Sequence, residues 1–430
     1  MIRRVSMKSS SHNAKRSETL AVLDLGTSKT VCLIGQREAN FGVRILGAGV
    51  SESRGLKSGA VIDMIEAETA IRSAVQKAER AAGVAVQSVS VNVSTRSLTS
   101  RQLTVQTAFA SGEVADRDLK RVLNSSLAEL EQPENAILHA LPLTWSVDDV
   151  RGIRDPRGMF GQNLGVDMHF VLAGVGPLRN LAHCVERSHL KINSVTVSPY
   201  AAGLAVLAVD ERDLGATIID LGGGITTAAV FRDNMLVHVD AVSVGGNNVS
   251  ADLARGLTTP LEAAERIKRI YGSALHGADD DRTHVPCPPM GAQDVLHHEP
   301  KTLVTNIVRS RIEETLELLK ERLNAVGVDQ YAGRRIVLTG GGAELNGVRE
   351  LTEVLFNKRT RIGTPHGVLG LDPTLSGPES AVAVGLLKHA FMEKDEAISG
   401  PPDLSGRKYR QRHYAGGSLG RSIKWLKDNF

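Results

Sequence analysis

The chain has 430 residues, 42% apolar and 23% charged, with a net charge of +3. That length exceeds one compact core and implies two or more domains, and the near-neutral balance leaves no basic field for nucleic acid. Cys32, Cys184 and Cys287 are far apart with no CxxC pair, which argues against a disulfide framework and fits a reducing cytosol. No 18-residue apolar run suggests a membrane span, and no apolar h-region follows the basic N-terminus. Both ends are basic. Residues 1–18 carry Arg3, Arg4, Lys8, Lys15 and Arg16 against Glu18, and residues 403–430 carry seven Lys/Arg against two Asp. Residues 1–17 read as a disordered tail.

Two strand-like runs around a Gly turn occupy 20–35, and another strand lies at 43–50. Helical periodicity over 64–82 ends at Gly83, and 84–93 alternates as a strand does. This βββαβ run predicts an α/β domain. Residues 94–172 differ, with short strands around a helix at about 116–131 and Pro133, Pro142 and Pro156 as punctuation. They read as an inserted subdomain. Helices follow at 176–190 and 198–209, strand runs at 216–231 and 235–244, and a helix at 261–271. Residues 275–300 are rich in Asp, Pro and His and read as a loop. A long amphipathic helix spans 303–326, a strand and Gly turn 334–347, and a compact apolar helix 380–392. A Pro/Gly/Arg-rich flexible linker and a short helical tip end the chain.

One device occurs twice. "LAVLDLGTSKTVC" (20–32) and "TIIDLGGGITTAA" (217–229) each run apolar, Asp-Leu-Gly, small and hydroxyl, then apolar, with their aspartates 196 residues apart (220 minus 24). A Gly-rich hairpin turn presents several N–H groups to phosphate oxygens, and a Thr or Ser hydroxyl adds a donor. The Asp at the strand end would repel phosphate unless a cation, most simply Mg²⁺ held through water, lies between them. Two such hairpins, one per domain, would grip a polyphosphate from both sides. A third Gly turn, "LTGGGAELNG", would let a base or ribose lie against the backbone. Each element alone is a weak signal; their order and spacing carry the reading.

The set resembles the actin / heat-shock-70 / sugar-kinase ATPase superfamily. "DLGTSKT" is similar to its first phosphate motif, "DLGGGITT" to its second and "VLTGGGA" to its adenosine motif. "SPYAAGLAVL" and "SAVAVGLLKHA" are similar to its two connecting helices. Within the superfamily, "SRGLKSGAVIDMIEAETAI", "RDPRGMFG", "AERIKRIYG" and "RIGTPHGVLGL" resemble the FtsA family of bacterial cell-division proteins, in its alphaproteobacterial form. The likeness covers roughly 18–393 plus the tip.

The resemblance implies an α/β, actin-like two-domain ATPase fold with a subdomain inserted in the first domain. Domain 1 would comprise 18–93 and 173–213 around the insertion 94–172. Domain 2 would comprise 214–243 and 333–379 around a small subdomain at 244–332, with a connecting helix at 380–393, a linker at 394–417 and a membrane-targeting helix at 418–430. ATP and Mg²⁺ are the implied cofactors. Asp24, Gly26, Thr27, Ser28 and Lys29 would form the first phosphate loop; Lys29 would reach a phosphate or remain a solvated turn lysine. Asp220, Gly222, Gly223, Gly224 and Thr226 would form the second, with Asp24 and Asp220 flanking Mg²⁺ through water. Gly245, Gly246 and Asn247 resemble a loop near the sugar. Glu265 and Lys268 lie i, i+3 on one helical face and would contact the nucleoside, or form only a surface ion pair. Gly340, Gly341, Gly342 and Ala343 would line the adenine. Chaperone and MreB relatives carry a water-positioning Glu where this chain has Ser198. A hydroxyl cannot act as a general base at neutral pH, so ATP binding with weak or absent hydrolysis is expected.

Residues 419–430 read "LGRSIKWLKDNF". Leu419, Ile423, Leu426 and Phe430 make one stripe, Arg421, Lys424 and Lys427 sit off it, and Trp425 lies at its flank. That pattern suits an in-plane helix on an anionic membrane, or one docked on the protein's own body. The resemblance implies a filament-forming protein at the cytoplasmic face of the inner membrane at the division site. It would bind the FtsZ C-terminal peptide through the small subdomain and recruit later division proteins. Arg309, Arg311 and Glu314 are the expected contacts; the alternative is a solvated charged face. A sugar kinase would need a catalytic Asp and sugar pocket. A chaperone would need Glu at 198 and a substrate domain. A pilus-assembly PilM-like adaptor is the nearest alternative and lacks the tip.

Overall fold

The structure, a computed structural model, describes residues 18–38, 42–130, 134–291, 295–328, 332–392, 396, 397 and 402. The tail at 1–17, the tip at 418–430 and all of the 394–417 linker except 396, 397 and 402 lie outside the described residues.

Strands β1 (Thr19–Leu25), β2 (Lys29–Glu38) and β3 (Gly42–Glu52) form an antiparallel meander. A small hairpin, β4 (Leu56–Lys57) with β5 (Ala60–Val61), leads into α1 (Met64–Ala82). That helix buries Ala67, Ala70, Ile71, Ala74, Val75 and Ala78 on one face. The Asp63 side chain accepts from the Ile65 and Glu66 amides at its start, and Gly83, at φ 68°, ends it. Strand β6 (Ser88–Val93) returns parallel to β1.

The insertion follows: β7 (Thr99–Glu113), α2 (Asp116–Glu129), β8 (Asn135–Val147), β9 (Val150–Ile153) and β10 (Phe160–Gly174). Its antiparallel sheet runs β7-β10-β8-β9 over a separate core that includes Val122, Leu127, Trp145 and Phe170. Three of these strands are long, against the expectation of short ones. Pro142 does not interrupt β8 because it sits where the register against β10 slips, beyond the Trp145–Val147 stretch that β9 pairs. A missing N–H is tolerated at such a place.

The chain re-enters the first domain through α3 (Val175–Arg187), β11 (Lys191–Val197) and α4 (Ser198–Val206). The helix expected over 198–209 stops early, because Leu207 is extended; α5 (Val209–Leu214) is separate. Then β12 (Ala216–Leu221), β13 (Thr226–Arg232) and β14 (Met235–Val242) repeat the meander. Helices α6 (Gly246–Gly256) and α7 (Leu261–Tyr271), the hairpin β15 (His284–Cys287) with β16 (His297–Pro300), and α8 (Lys301–Ala325) come next. The expected 275–300 loop therefore contains a hairpin. "HVPC" alternates exposed and buried as a strand does, a signal its His and Pro obscure. The chain continues through β17 (Arg335–Thr339), a 3-10 turn at Gly341–Glu344, α9 (Val348–Phe356), β18 (Arg359–Ile362), β19 (Val368–Leu369) and α10 (Ala381–Phe391).

The two large sheets share one topology. Strands β3-β2-β1-β6-β11 match β14-β13-β12-β17-β18, each an antiparallel meander continued by two parallel strands. The helix that follows each sheet packs on the other: α4 on β12 and β13, α10 on β1 and β2. They cross closely because a Cβ on Gly385 would lie 1.7 Å from the Ala201 carbonyl oxygen. This crossing places the ends of β1 and β12 face to face. Among the described residues no helix is long and apolar enough to cross a membrane.

Candidate functional site

The two Asp-Leu-Gly hairpins are the same object. In each, the first loop glycine donates its N–H to the carbonyl three residues on, Gly26 to Lys29 and Gly222 to Ile225, both at 3.1 Å. A Cβ on Gly26 would meet Lys29 O at 2.8 Å, and one on Gly222 would meet Ile225 O at 2.6 Å, so the tight turn excludes side chains at both. The loops face each other across the cleft. A Cβ on Gly223 would lie 2.2 Å from Ser28 Oγ, and one on Gly224 would lie 2.8 Å from Thr27 Oγ1. Ser58, in the β4–β5 turn, donates its hydroxyl to Gly224 O at 2.6 Å. Sequence reasoning missed this cross-cleft contact because it joins residues 166 positions apart.

Asp24 and Asp220 end β1 and β12, 7% and 9% exposed. Burial, then the charge of Asp220, pushes the Asp24 carboxyl up to about 7 against the opposing pull of Lys29. Burial pushes Asp220 up to about 6. Two buried carboxylates that resist ionisation make a donor set that a cation would relieve. Thr227 Oγ1 is buried without a hydrogen-bond partner, and Thr227 pairs in register with Asp220. This set fits a hydrated divalent ion.

The loops are braced from behind. Asn92 Oδ1 accepts the Leu25 N–H at 2.7 Å, and its Nδ2 donates to Ser198 Oγ at 3.1 Å. Ser198 Oγ in turn donates to Val93 O at 3.2 Å. The Ser198 hydroxyl is thus committed as a strut between β6 and α4, which agrees with its inability to act as a base. Thr226 also serves the frame, since its hydroxyl donates to Val244 O at 2.8 Å.

The remaining expected residues gather around the second loop. Gly246 N and Asn247 N donate to the carbonyls of Gly222 and Gly223 at 2.9 and 2.7 Å. Gly245 starts α6 so close to that loop that a Cβ would lie 2.5 Å from Gly222 O. Lys268 Nζ donates to Gly246 O at 3.1 Å and pairs with Glu265 at 2.7 Å. Burial raises the Glu265 carboxyl, but Lys268 and Ser250 outweigh it and hold it below the usual range. The pair therefore ties α7 to α6. Gly340, at φ 80°, lies where a Cβ would meet Asp220 Oδ1 at 2.3 Å, and Gly342 packs on Leu221. Gly341 and buried Ala343 complete that turn. Lys29 Nζ lies 3.7 Å from Glu379 Oε1. Glu379, whose Oε2 is buried without a partner, was not foreseen; it lies beside Gly341 and so links the first loop to the third Gly turn.

The expected partner face is separate, on α8. Arg311 bonds Asp252 of α6 at 2.5 Å and Glu314 at 2.6 Å, while Arg309 lies 3.6 Å from Glu313. Arg311 is thus an α6–α8 clamp with one side exposed. The membrane residues Leu419, Arg421, Ile423, Lys424, Trp425, Leu426, Lys427 and Phe430 lie outside the described residues.

A family model described as "Cell division protein FtsA" matches residues 217–385, and one described as "SHS2 domain inserted in FTSA" matches 95–172. The cell division protein FtsA of Rhizobium meliloti (strain 1021) is 42% identical over 97% of this chain and 96% of its own length. That of Pseudomonas aeruginosa is 30% identical over 95% and 97%. Among solved structures, a PilM–PilN type IV pilus biogenesis complex matches with TM-score 0.61 at 18% identity, over 87% of this chain and 98% of its own. MreB 5 of Spiroplasma citri bound to AMPPNP matches with TM-score 0.50 at 14% identity, over 86% and 94%. These two show the actin-like fold, and the PilM likeness goes no further. The chain belongs to the FtsA family of cell-division proteins.

Proposed function

We propose that the protein is an ATP-holding actin-like adaptor that tethers FtsZ filaments to the cytoplasmic face of the inner membrane at the division site. The observation that carries the nucleotide part is the pair of matching Gly-turn hairpins, closed against each other across one cleft. Gly26 and Gly222 shape the two turns, and the backbone N–H groups of Thr27 and Ser28 and of Gly223 and Gly224 would hold the phosphates. Asp24 and Asp220 would hold Mg²⁺ through water, and that ion would neutralise phosphate charge. Gly340–Ala343 would receive the adenine, and the Gly245–Asn247 turn with Glu265 and Lys268 the nucleoside. Lys29 would leave Glu379 for a phosphate oxygen. The Ser198 hydroxyl, held between Asn92 and Val93, leaves no general base at that position, which supports retention of ATP over its turnover. Single-turnover phosphate release at chaperone-like rates would refute this part.

Domain 1 would be 18–93 with 173–213, domain 2 would be 214–243 with 333–379, and 244–332 would present Arg309, Arg311 and Glu314 to the FtsZ C-terminal peptide. The inserted subdomain would serve self-association and later division proteins. The tip at 418–430 would bind anionic lipid weakly per copy, and filament formation would multiply that affinity. Tagging and live-cell microscopy test the whole reading: a mid-cell ring supports it, and a diffuse signal refutes it.

A further inference from the structure

The buried cluster His139, His389 and Glu396 has no part in the site above. It joins β8 of the insertion, α10, and a residue five positions beyond the end of α10. All three side chains are buried, and their ligand atoms converge within 4.8 Å. That convergence suits a metal, but the hydrogen bonds do not. Val197 N–H donates to His139 Nε2 at 3.1 Å, so that nitrogen carries the lone pair and His139 Nδ1–H donates to Glu396, also at 3.1 Å. A metal on Nδ1 would leave Nε2 protonated and facing another N–H. His389 completes the set, with Nε2 at 3.2 Å from Glu396 Oε1 and Nδ1 at 2.8 Å from Thr196 Oγ1. Burial raises the Glu396 carboxyl, yet the two imidazoles outweigh it and hold it below the usual carboxylate range. Beside it, Ala397 N–H donates to Ala140 O at 2.8 Å, and Ala397 joins the core of the insertion.

We propose that Glu396 and Ala397 form a latch that seats the start of the C-terminal segment against the insertion and α10, behind the frame that braces the first loop, and that latch closure and nucleotide binding are linked. The physical connection is short. Glu396 holds His139, His139 holds the Val197 amide, and the next residue, Ser198, holds Asn92, which holds the Leu25 amide at the entrance to the first loop. A closed latch keeps this frame in one arrangement and so presents the loop ready for phosphate. Linkage then requires each event to favour the other by the same factor. The linkage rests on the nucleotide reading; the latch itself does not.

Hydrogen–deuterium exchange on the full-length protein tests both parts, with and without Mg²⁺ and ATPγS. The Ala397 amide is expected to be protected without nucleotide and to exchange about tenfold more slowly with it. In Glu396→Ala, and more mildly in Glu396→Gln, that protection is lost, and ATPγS affinity falls by the same factor of about ten. Circular dichroism checks that the variants fold; the wild-type protein alone still tests the latch if they do not. Random-coil exchange at Ala397 in the wild-type protein overturns the latch. Unchanged protection on measured ATPγS binding overturns the linkage, whereas absence of ATPγS binding refutes the nucleotide reading instead. Stoichiometric Zn²⁺ binding that is lost in Glu396→Ala overturns the latch in favour of a metal centre.

Discussion

Replacing Asp24 by Asn removes a charge that its buried surroundings resist. The folded carboxyl is pushed from 3.8 up to about 7 by burial and by Asp220. A raised folded pKa means that the folded state holds its proton more tightly. Stability is therefore lost as pH rises from about 4 to about 7 and is level above that. That rise corresponds to about 4 kcal/mol at pH 8, an upper bound because a folded interior is never fully dry. At pH 5 the cost falls to about 2 kcal/mol or less. Asn is neutral throughout. Urea unfolding without nucleotide or Mg²⁺ is expected to find Asp24→Asn more stable than the wild type at pH 8, with the gain shrinking toward pH 5. The same variant is expected to bind Mg²⁺-ATP at least tenfold more weakly, because an opposing charge for the cation is gone. An Asp24→Asn protein that is less stable at pH 8, or a difference that does not change with pH, would refute the reasoning.

Further outcomes follow from neighbouring contacts. Gly245→Ala places a Cβ 2.5 Å from Gly222 O, a backbone atom; nucleotide titration is expected to read at least tenfold weaker binding, with stability lowered by about 1–3 kcal/mol in urea unfolding. Lys268→Ala removes donors to Gly246 O and Ser250 and is expected to weaken nucleotide binding about tenfold, the effect of about 1.4 kcal/mol. Arg311→Ala breaks contacts to Asp252 and Glu314; calorimetry is expected to show FtsZ-peptide affinity reduced at least tenfold with ATP affinity unchanged. Deleting 419–430 is expected to abolish co-sedimentation with anionic liposomes while leaving nucleotide binding intact.

The two Asp-Leu-Gly hairpins are legible because an apolar run broken by Asp-Leu-Gly marks a strand end and its turn together. The duplicated sheet followed from that repeat. What escaped the sequence depended on contacts between distant positions. Ser58 meets Gly224, and Glu396 meets His139 from 257 positions away; nothing local announces either. Composition assigns Glu396 and Ala397 to the flexible linker because the Pro- and Gly-rich residues that follow dominate that stretch. Thr226 and Thr227 differ by one step of strand alternation, and only the register shows which hydroxyl supports the frame and which lies buried without a partner. Pro142 marked a break in the sequence, yet the bulge beside it accommodates the residue inside a long strand. The expected 275–300 loop failed for a similar reason, since Pro286 masks a strand that alternates correctly.

The most direct measurement is reconstitution. Purified FtsZ with GTP is sedimented with anionic liposomes in the presence or absence of this protein and Mg²⁺-ATP. FtsZ is expected to pellet with the liposomes only when this protein, Mg²⁺-ATP and residues 419–430 are all present. FtsZ that stays in the supernatant under those conditions, or pellets equally without this protein, would contradict the tethering function.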